Sequence, residues 1–288
     1  MADGVRGVTL FPTSIGDLAG ARVLVAGARV TGVSAARVLA ELGAVVTVTD
    51  SAPAQLDALA GGALQRAVGL VAPPPGTDLV VTSPGFRPDA PLMLAAQRAG
   101  VPVVGDAALA RWVDCNRSRS ATQGARPGHP AQWLVVTGTN GKTTTVGMLA
   151  SILRAAGVDA VACGNVGFPV LDAVRAGHRV LAVELSSFQL YWSPGLDPWA
   201  AAVLNVSADH LDWHGGMEQY AAAKGSVYAE HTTAVFNIDD EWSTRLAAGR
   251  GGVGFTTGEP AAGQLGLVGD QLVDRAYSPD GEVLAHVA

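Results

Sequence analysis

The residues best suited to chemistry form the run Gly138-Thr139-Asn140-Gly141-Lys142-Thr143, which lies between a predicted apolar strand and a predicted helix. Glycines allow a tight turn that directs backbone N–H groups at an anion, and the start of the helix adds a partial positive charge. Lys142 can reach the terminal phosphates of a nucleotide, and the hydroxyl of Thr143 can bind Mg²⁺. The run predicts a phosphate-binding loop rather than a turn that merely ends a strand.

Two acidic groups and a histidine follow later strands. Glu184 ends the buried strand Val180–Val183, at the edge where open parallel sheets bind ligands, and its carboxylate suits Mg²⁺. The strand Ala201–Leu204 leads into a polar run that contains Asp209 and His210. A solvated acid and a local turn are the alternatives, but the phosphate loop upstream favours ligand-binding roles.

A zinc site is the other interpretation of the histidines. His210 and His214 would have to share a helix, yet Gly215 and Gly216 follow at once, and neither cysteine accompanies them. The sequence therefore disfavours zinc. Lys224 lies among alanines on the next predicted helix, where a lysine is commonly solvated.

The first part of the chain alternates strands and helices, which implies a parallel sheet with helices on its faces. An NAD-binding fingerprint would require glycine at Arg29, because a side chain there obstructs the approach of a pyrophosphate to the backbone. The predicted elements are a strand over 22–27, a helix over 32–42, a strand over 45–49 ended by Asp50, a strand over 78–83, a helix over 91–100 and a strand over 101–104.

A stretch rich in Ser, Arg, Gly and Pro separates this unit from the phosphate loop and predicts a linker. The predicted division is a first domain over 1–115, a linker over 116–132 and a second α/β domain over 133–288. Short strands are predicted over 264–268, 271–274 and 283–287.

Composition narrows the class of protein. A content of 49% hydrophobic and 15% charged residues fits buried α/β sheets, and the net charge of −6 argues against a nucleic-acid partner. Cys115 and Cys163 form no disulfide or metal pattern. The N-terminus does not read as a signal peptide and no apolar run is long enough to span a bilayer, so we expect a cytoplasmic protein without membrane insertion.

Several runs together resemble the Mur ligase family. The phosphate loop lacks the glycine that the general pattern G-x-x-x-x-G-K-[ST] would place at Val136, and its compact form is typical of Mur and folylpolyglutamate ligases. The residues E-L-S-S-F-Q from Glu184 are the variant of the D-glutamate-adding branch. The other matching runs are G-N-V-G from Gly164, N-V-S-A-D-H-L-D-W-H-G from Asn205, Y-A-A-A-K from Tyr220 and V-F-N-I-D-D from Val235.

The resemblance implies a Rossmann-like N-terminal domain that binds a UDP substrate and a phosphate-loop central domain that binds ATP. It implies ATP-dependent addition of D-glutamate to UDP-N-acetylmuramoyl-L-alanine through an acyl phosphate, in peptidoglycan precursor synthesis, by a monomer. Two Mg²⁺ sites are implied, the second supported by a carbamylated Lys224. A lysine captures CO₂ only as the uncharged amine, so a lowered pKa is implied for Lys224.

The resemblance also implies a role for each site residue. Lys142, Glu184, His210 and Lys224 would be catalytic, and Thr143, Glu184, His210 and Lys224 would hold the metals. The ATP phosphates would contact Gly138, Thr139, Asn140, Gly141, Lys142, Thr143 and Thr144. The UDP substrate would contact Val30, Thr31, Asp50, Ser83, Asn165, Ser186 and His210, with Arg29 a possible charge for its diphosphate.

The family's third domain, which holds the D-glutamate site, and its H-N-x-x-N helix do not appear in this sequence. We therefore expect a C-terminally truncated chain that does not complete ligation alone. Two alternatives stay open: a nucleotide-binding fragment without catalysis, and another Mur or folylpolyglutamate-type ligase.

Overall fold

The computed structural model describes residues 18–57, 59, 64–119 and 130–287. The chain divides into two compact units. The first comprises the residues up to Ala131 together with Cys163–Arg179 and Phe188–Leu196. The second comprises Gln132–Ala162, Val180–Ser187 and Asp197–Ala288.

The first unit contains a five-stranded parallel sheet in the order β3-β2-β1-β4-β5. Its central strands β1 and β4 are built from valine and leucine, and nearly every residue in them is buried, as the middle of a parallel sheet requires. The elements are β1 Arg22–Ala26, α1 Val30–Glu41, β2 Val45–Asp50, α2 Pro53–Asp57, β3 Gln65–Val68, β4 Leu79–Thr82, α3 Pro91–Arg98, β5 Val103–Gly105 and α4 Asp106–Arg119.

The second part of the chain forms a nine-stranded sheet in the order β14-β13-β12-β11-β10-β9-β6-β8-β7. The pairs from β8 through β6, β9, β10 and β11 to β12 are parallel, and β13 and β14 add antiparallel. The strands are β6 Gln132–Thr137, β7 Ala160–Gly164, β8 Val180–Glu184, β9 Ala200–Val203, β10 Thr233–Asn237, β11 Gly252–Phe255, β12 Gln264–Val268, β13 Gln271–Asp274 and β14 Glu282–His286.

Six helices accompany these strands in the described part of the chain. They are α5 Lys142–Ala155, α6 Val170–Ala176, α7 Ser187–Tyr191, α8 Leu211–His214, α9 Met217–Gly225 and α10 Glu241–Ala247. Helix α5 packs on the sheet through Val146 and Ala150, which meet Val136 of β6 and Ala182 of β8 in a buried cluster. This packing fixes the start of α5 at the carboxyl end of β6.

Helix α6 belongs to the first unit, where polar contacts fasten it to α1. The hydroxyl of Ser34 donates to Asp172 at 2.7 Å, and Arg175 donates to both carboxylate oxygens of Glu41 at 2.7 Å. Since α6 follows the phosphate loop in sequence, a strictly sequential division of the chain misses this packing.

The segment after α7 is also held within the first unit. Trp192 donates its indole N–H to the carbonyl of Phe86 at 3.1 Å, and its own carbonyl accepts from Gly105. The backbone N–H of Ala108 donates to Ser193 Oγ at 3.2 Å. A Cβ on Gly105 would lie 2.7 Å from Ser193 Oγ, so this close approach requires glycine at the end of β5.

The α/β architecture predicted from the sequence is confirmed, with differences at the element ends. Helix α1 begins at Val30, because Arg29 already accepts a helical hydrogen bond from Val33. Residues 116–119 of the predicted linker continue helix α4, and Gln132 already pairs in β6. The remainder of that prediction, residues 120–129, lies outside the described residues. Within the described chain, no helix combines the length and apolarity needed to cross a membrane.

Candidate functional site

The predicted phosphate loop joins β6 to α5. Gly141 is the N-cap of α5 with φ of 83°, in the left-handed region that glycine adopts without steric cost. A Cβ on Gly138 would lie 3.1 Å from the Cβ of Leu204, so the loop passes close to the chain that follows β9. The N–H groups in the first turn of α5 have no acceptor within the helix and are therefore suited to an anion.

Asn205 shapes this loop, although the sequence prediction assigned it no role. Its side-chain oxygen accepts from the N–H of Asn140 at 2.9 Å, and its amide donates to the Asn140 carbonyl at 3.2 Å. Its backbone carbonyl accepts from the N–H of Thr139 at 2.9 Å. These two loop N–H groups hold the loop in shape, so the N–H groups at the start of α5 are the ones left to face an anion.

Thr143 and Glu184, which the sequence predicts to hold one metal, are in direct contact. The Thr143 hydroxyl donates to a Glu184 carboxylate oxygen at 2.7 Å. Glu184 is only 3% exposed, and its strand β8 pairs with β6 so that Glu184 lies beside Val136. A hydroxyl and a carboxylate are hard oxygen donors, and two oxygens this close fit the coordination shell of one small divalent cation.

Both predicted catalytic lysines donate to carbonyls of the same loop. Lys142 Nζ donates to Thr139 at 2.9 Å, and Lys224 Nζ donates to Gly138 at 2.7 Å. Lys224 is 2% exposed. Burial, as the largest cause, and the charge of Lys142 lower the pKa of Lys224 from 10.5 to about 7, a value that includes the opposing effect of Asp209. A substantial fraction of the Lys224 amine is therefore uncharged near neutral pH.

Tyr220 lies between the loop and Lys224. It is 1% exposed, its hydroxyl lies 3.0 Å from Thr139 Oγ1, and its ring centroid lies 4.7 Å from Lys224 Nζ. From the sequence, Tyr220 was identified only as the first residue of the matching run Y-A-A-A-K and was given no role. Tyr220 precedes Lys224 by four residues, or about one helical turn, so both side chains lie on one face of α9. This spacing is the feature of the sequence that could have identified Tyr220.

The two histidines of the polar run have different surroundings. His210 has φ of 51° directly before α8, and its Nε2 lies 3.4 Å from Asp209 with about half of each side chain exposed. His214 Nε2 lies 3.0 Å from Ser187 Oγ. Burial lowers the pKa of His214 to about 4, and the charge of Lys224 contributes. His214 is thus neutral at physiological pH.

No group of three or more His, Cys, Asp and Glu side chains that could hold a metal occurs among the described residues. The predicted second metal site needs Lys224 to become a carboxylate before it offers such a donor set. The joint coordination of His210 and Lys224 remains a prediction.

The predicted substrate loop of the first unit is tightly packed around glycines. A Cβ on Gly27 would overlap the hydroxyl of Ser83, and a Cβ on Gly32 would overlap the carbonyl of Gly27. Asp50, at the end of β2, accepts from the N–H of Ala28 at 2.8 Å. Asp50 and Ser83 therefore both adjoin the loop between β1 and α1.

The other predicted substrate residues occupy exposed or intermediate positions. Val30 is 67% exposed at the start of α1, with Thr31 next to it. Asn165 is exposed in the loop after β7, and Ser186 lies between β8 and α7. Arg29 has φ of −86°, which any residue adopts, so the arginine occupies this position without backbone strain.

Asp106 was not among the predicted site residues, yet it lies with Thr31, Gly32 and Ser83 around a narrow, closely packed space of the first unit. One oxygen of Asp106 and the hydroxyl of Ser83 are buried there without a hydrogen-bond partner. Burial raises the pKa of Asp106 from 3.8 to about 6, against a lowering by the hydrogen bond from Gln189.

Comparison with protein families gives two matches. Residues 21–105 match the description "Mur ligase MurD-like, N-terminal domain" and residues 136–257 match "Mur ligase middle domain". A solved structure from Neisseria meningitides, described as UDP-N-acetylmuramate:L-alanyl-gamma-D-glutamyl-meso-diaminopimelate ligase, has a similar fold. Its TM-score is 0.54 at 18% identity, covering 90% of this chain and 85% of that chain.

Two relatives named UDP-N-acetylmuramoylalanine--D-glutamate ligase are much more similar in sequence. The one from Rhodococcus jostii is 49% identical, covering 93% of this chain and 54% of the relative. The one from Mycobacterium tuberculosis is 48% identical, covering 94% and 55%. The chain spans about half the length of the curated relatives it matches.

Proposed function

This chain belongs to the Mur ligase family, and we propose that it carries the UDP-substrate and ATP sites of a ligase that adds D-glutamate to UDP-N-acetylmuramoyl-L-alanine. The observation that carries the ATP part is the 2.7 Å contact between Thr143 and buried Glu184 beside the phosphate loop. The names of relatives at 48–49% identity support the choice of substrates. We also propose a cytoplasmic location for the ligase.

The reaction we propose is phosphoryl transfer followed by amide formation. The alanyl carboxylate of the UDP substrate attacks the γ-phosphorus of ATP, and ADP leaves. The amine of D-glutamate then attacks the resulting acyl phosphate, so the amide bond forms and inorganic phosphate leaves. Positioning and neutralisation of charge supply most of the rate enhancement in reactions of this kind.

The residues of the loop have distinct tasks in this proposal. Thr143 and Glu184 would hold Mg²⁺ through their adjacent oxygens, and the metal would supply positive charge near the phosphates. The ammonium of Lys142 would neutralise charge on the transferred phosphoryl group. In the present structure it rests on the Thr139 carbonyl and would exchange that contact for a phosphate oxygen.

Lys224 would become carbamylated. The lone pair of its uncharged amine attacks the carbon of CO₂, the N–C bond forms and the amine loses a proton to solvent. Burial of Lys224 and the consequent lowering of its pKa support this step, because only the uncharged amine reacts. The new carboxylate, with His210, would hold a second Mg²⁺.

The UDP substrate would bind in the first unit. Val30 and Thr31 would contact the diphosphate at the start of α1, while Asp50 and Ser83 would contact the uridine side, next to the same loop. Asn165, Ser186 and His210 would contact the muramoyl-alanine end. We propose that the ligase acts as a monomer.

The deciding experiment measures ADP and phosphate formation by the purified chain with ATP, Mg²⁺ and UDP-N-acetylmuramoyl-L-alanine. We expect binding of UDP-N-acetylmuramoyl-L-alanine and of magnesium nucleotide by calorimetry. Any phosphate release should depend on D-glutamate rather than L-glutamate or meso-diaminopimelate. Tight binding of a different nucleotide-linked acid, with none of this substrate, would refute the proposal. Binding without glutamate-dependent release would identify the non-catalytic alternative.

A further inference from the structure

Three contacts and one peptide bond close a ring that includes Tyr220 in the second unit. Its hydroxyl meets Thr139 Oγ1 at 3.0 Å, and Thr139 is joined to Gly138 by a peptide bond. The Gly138 carbonyl accepts from Lys224 Nζ at 2.7 Å, and Lys224 Nζ in turn lies 4.7 Å from the centre of the Tyr220 ring. A single buried side chain thus touches both the phosphate loop and the lysine that is proposed to react.

The other hydrogen bonds of Thr139 identify the donor between Tyr220 and Thr139. Thr139 Oγ1 accepts from the N–H of Ser207 at 3.0 Å and donates to the Ser207 carbonyl at 3.2 Å. A hydroxyl has one proton and two acceptor lone pairs. Since the Thr139 proton is directed at Ser207, Tyr220 donates to the remaining lone pair of Thr139.

The ring of Tyr220 is held from a third side. The His214 ring lies 5.2 Å from it, tilted by 59°, and His214 Nε2 is 3.0 Å from Ser187 Oγ. An aromatic ring fixed at its edge, face and hydroxyl has little freedom to reorient. The face of the ring also covers the Lys224 nitrogen, which is 2% exposed, and helps to keep water away from it.

We infer that Tyr220 is a positioning residue that holds the Gly138–Thr139 peptide and the Lys224 amine in fixed register, so that magnesium nucleotide binding and carbamylation of Lys224 both depend on its hydroxyl. The inference rests on the proposed function, because it assigns Tyr220 a task in the same site. Tyr220 acts through Thr139 and Lys224 and contacts no phosphate itself.

The test compares Tyr220→Phe with Tyr228→Phe in the full chain. Tyr228 is an equally buried tyrosine of the second unit, 3% exposed, whose hydroxyl donates to Val235 at 2.7 Å and accepts from Val203 at 3.2 Å. Both variants lose one buried hydroxyl with backbone or side-chain partners. Only Tyr220→Phe removes a contact to the phosphate loop.

Two readouts are measured for each protein. Calorimetry gives the affinity for magnesium AMP-PNP. ¹³C NMR after equilibration with ¹³C-bicarbonate gives the carbamate signal, and the loss of that signal in Lys224→Ala assigns it to Lys224. We expect Tyr220→Phe to weaken nucleotide binding by about 3- to 10-fold, the effect of one hydrogen bond, and to reduce the carbamate signal. Tyr228→Phe should leave both readouts within about 2-fold of wild type while lowering thermal stability.

Substitutions of Thr139 make the test independent of the folding of one variant. Thr139→Val removes the hydroxyl and should weaken nucleotide binding at least as much as Tyr220→Phe does. Thr139→Ser keeps the hydroxyl and should bind nucleotide like wild type. Combining Tyr220→Phe with Thr139→Val should add little to Thr139→Val alone, because Thr139→Val already removes the hydrogen bond to Tyr220.

The outcomes separate the inference from the proposed function. If wild type binds magnesium AMP-PNP and Tyr220→Phe matches Tyr228→Phe in both readouts, the positioning role is wrong and the ATP site stands. If wild type binds no magnesium nucleotide, the proposed function fails and the role of Tyr220 fails with it.

Discussion

The side-chain amide of Gln189 donates a 3.2 Å hydrogen bond to the carboxylate of Asp106, a residue 83 positions earlier. Both side chains are buried, Gln189 at 1% and Asp106 at 7% exposure. Gln189 ends the run E-L-S-S-F-Q, whose first glutamate contacts the phosphate loop. A run interpreted from sequence as catalytic therefore also supplies a structural contact within the first unit.

Asp106 should make the stability of the protein depend on pH. Burial raises its pKa from 3.8 to about 6, so the neutral carboxyl contributes stability that is complete below pH 3.8 and is lost as the pH rises through about 6. Asp106→Asn removes that loss. The unfolding free energy of Asp106→Asn minus that of wild type should therefore rise by about 3 kcal/mol between about pH 3.5 and about pH 7. Urea unfolding across this pH range tests it, and a pH-independent difference would contradict it.

Glu184 should control the metal dependence of nucleotide binding. Glu184→Gln keeps the shape but removes the negative charge beside Thr143. We expect magnesium AMP-PNP to bind about 10-fold more weakly or worse, whereas affinity without Mg²⁺ should change little. Glu218→Gln is the matched control, since Glu218 is an exposed partner of Arg245. Equal losses with and without Mg²⁺ would show that Glu184 does not act through a metal.

Gly32 and Gly147 should respond in opposite directions to the same substitution. Both lie inside helices, but a Cβ on Gly32 would overlap the Gly27 carbonyl, whereas one on Gly147 meets nothing within 4 Å. Gly32→Ala should destabilise by about 1–3 kcal/mol, because the substrate loop must move. Gly147→Ala should stabilise by up to about 1 kcal/mol through helix propensity. Thermal unfolding of the two variants measures both, and a stabilised Gly32→Ala protein would refute the packing account.

The two polar contacts between α1 and α6 should differ in strength. Ser34 is 5% exposed where it donates to Asp172, while the side chains of Arg175 and Glu41 are 40% and 55% exposed. Glu41→Gln should cost less than about 1 kcal/mol, because solvent screens an exposed ion pair. Ser34→Ala should cost about 1–3 kcal/mol, because it leaves a carboxylate oxygen without its donor. Urea unfolding of both variants measures the two losses of unfolding free energy. A larger loss for Glu41→Gln than for Ser34→Ala would contradict this prediction.

Local sequence patterns determined much of this protein. The run from Gly138 to Thr143 predicted a loop between a strand and a helix, because glycine conformations and helix starts depend on neighbouring residues. The position of Glu184 at the ligand-binding edge, where it contacts Thr143, followed from the rule that parallel strands end at one edge of a sheet. The family also followed from the order and spacing of short runs.

Only the tertiary structure decided which distant residues meet. Asn205 takes two of the loop N–H groups, Tyr220 reaches Thr139 of the loop, and Gln189 reaches Asp106, although nothing near any of these residues in sequence indicates the partner. The low pKa of Lys224 likewise comes from its burial by the fold, since an alanine-rich helix exposes or buries a lysine according to what packs on it. Local composition sets conformation, whereas burial and long-range contacts arise only when the elements pack.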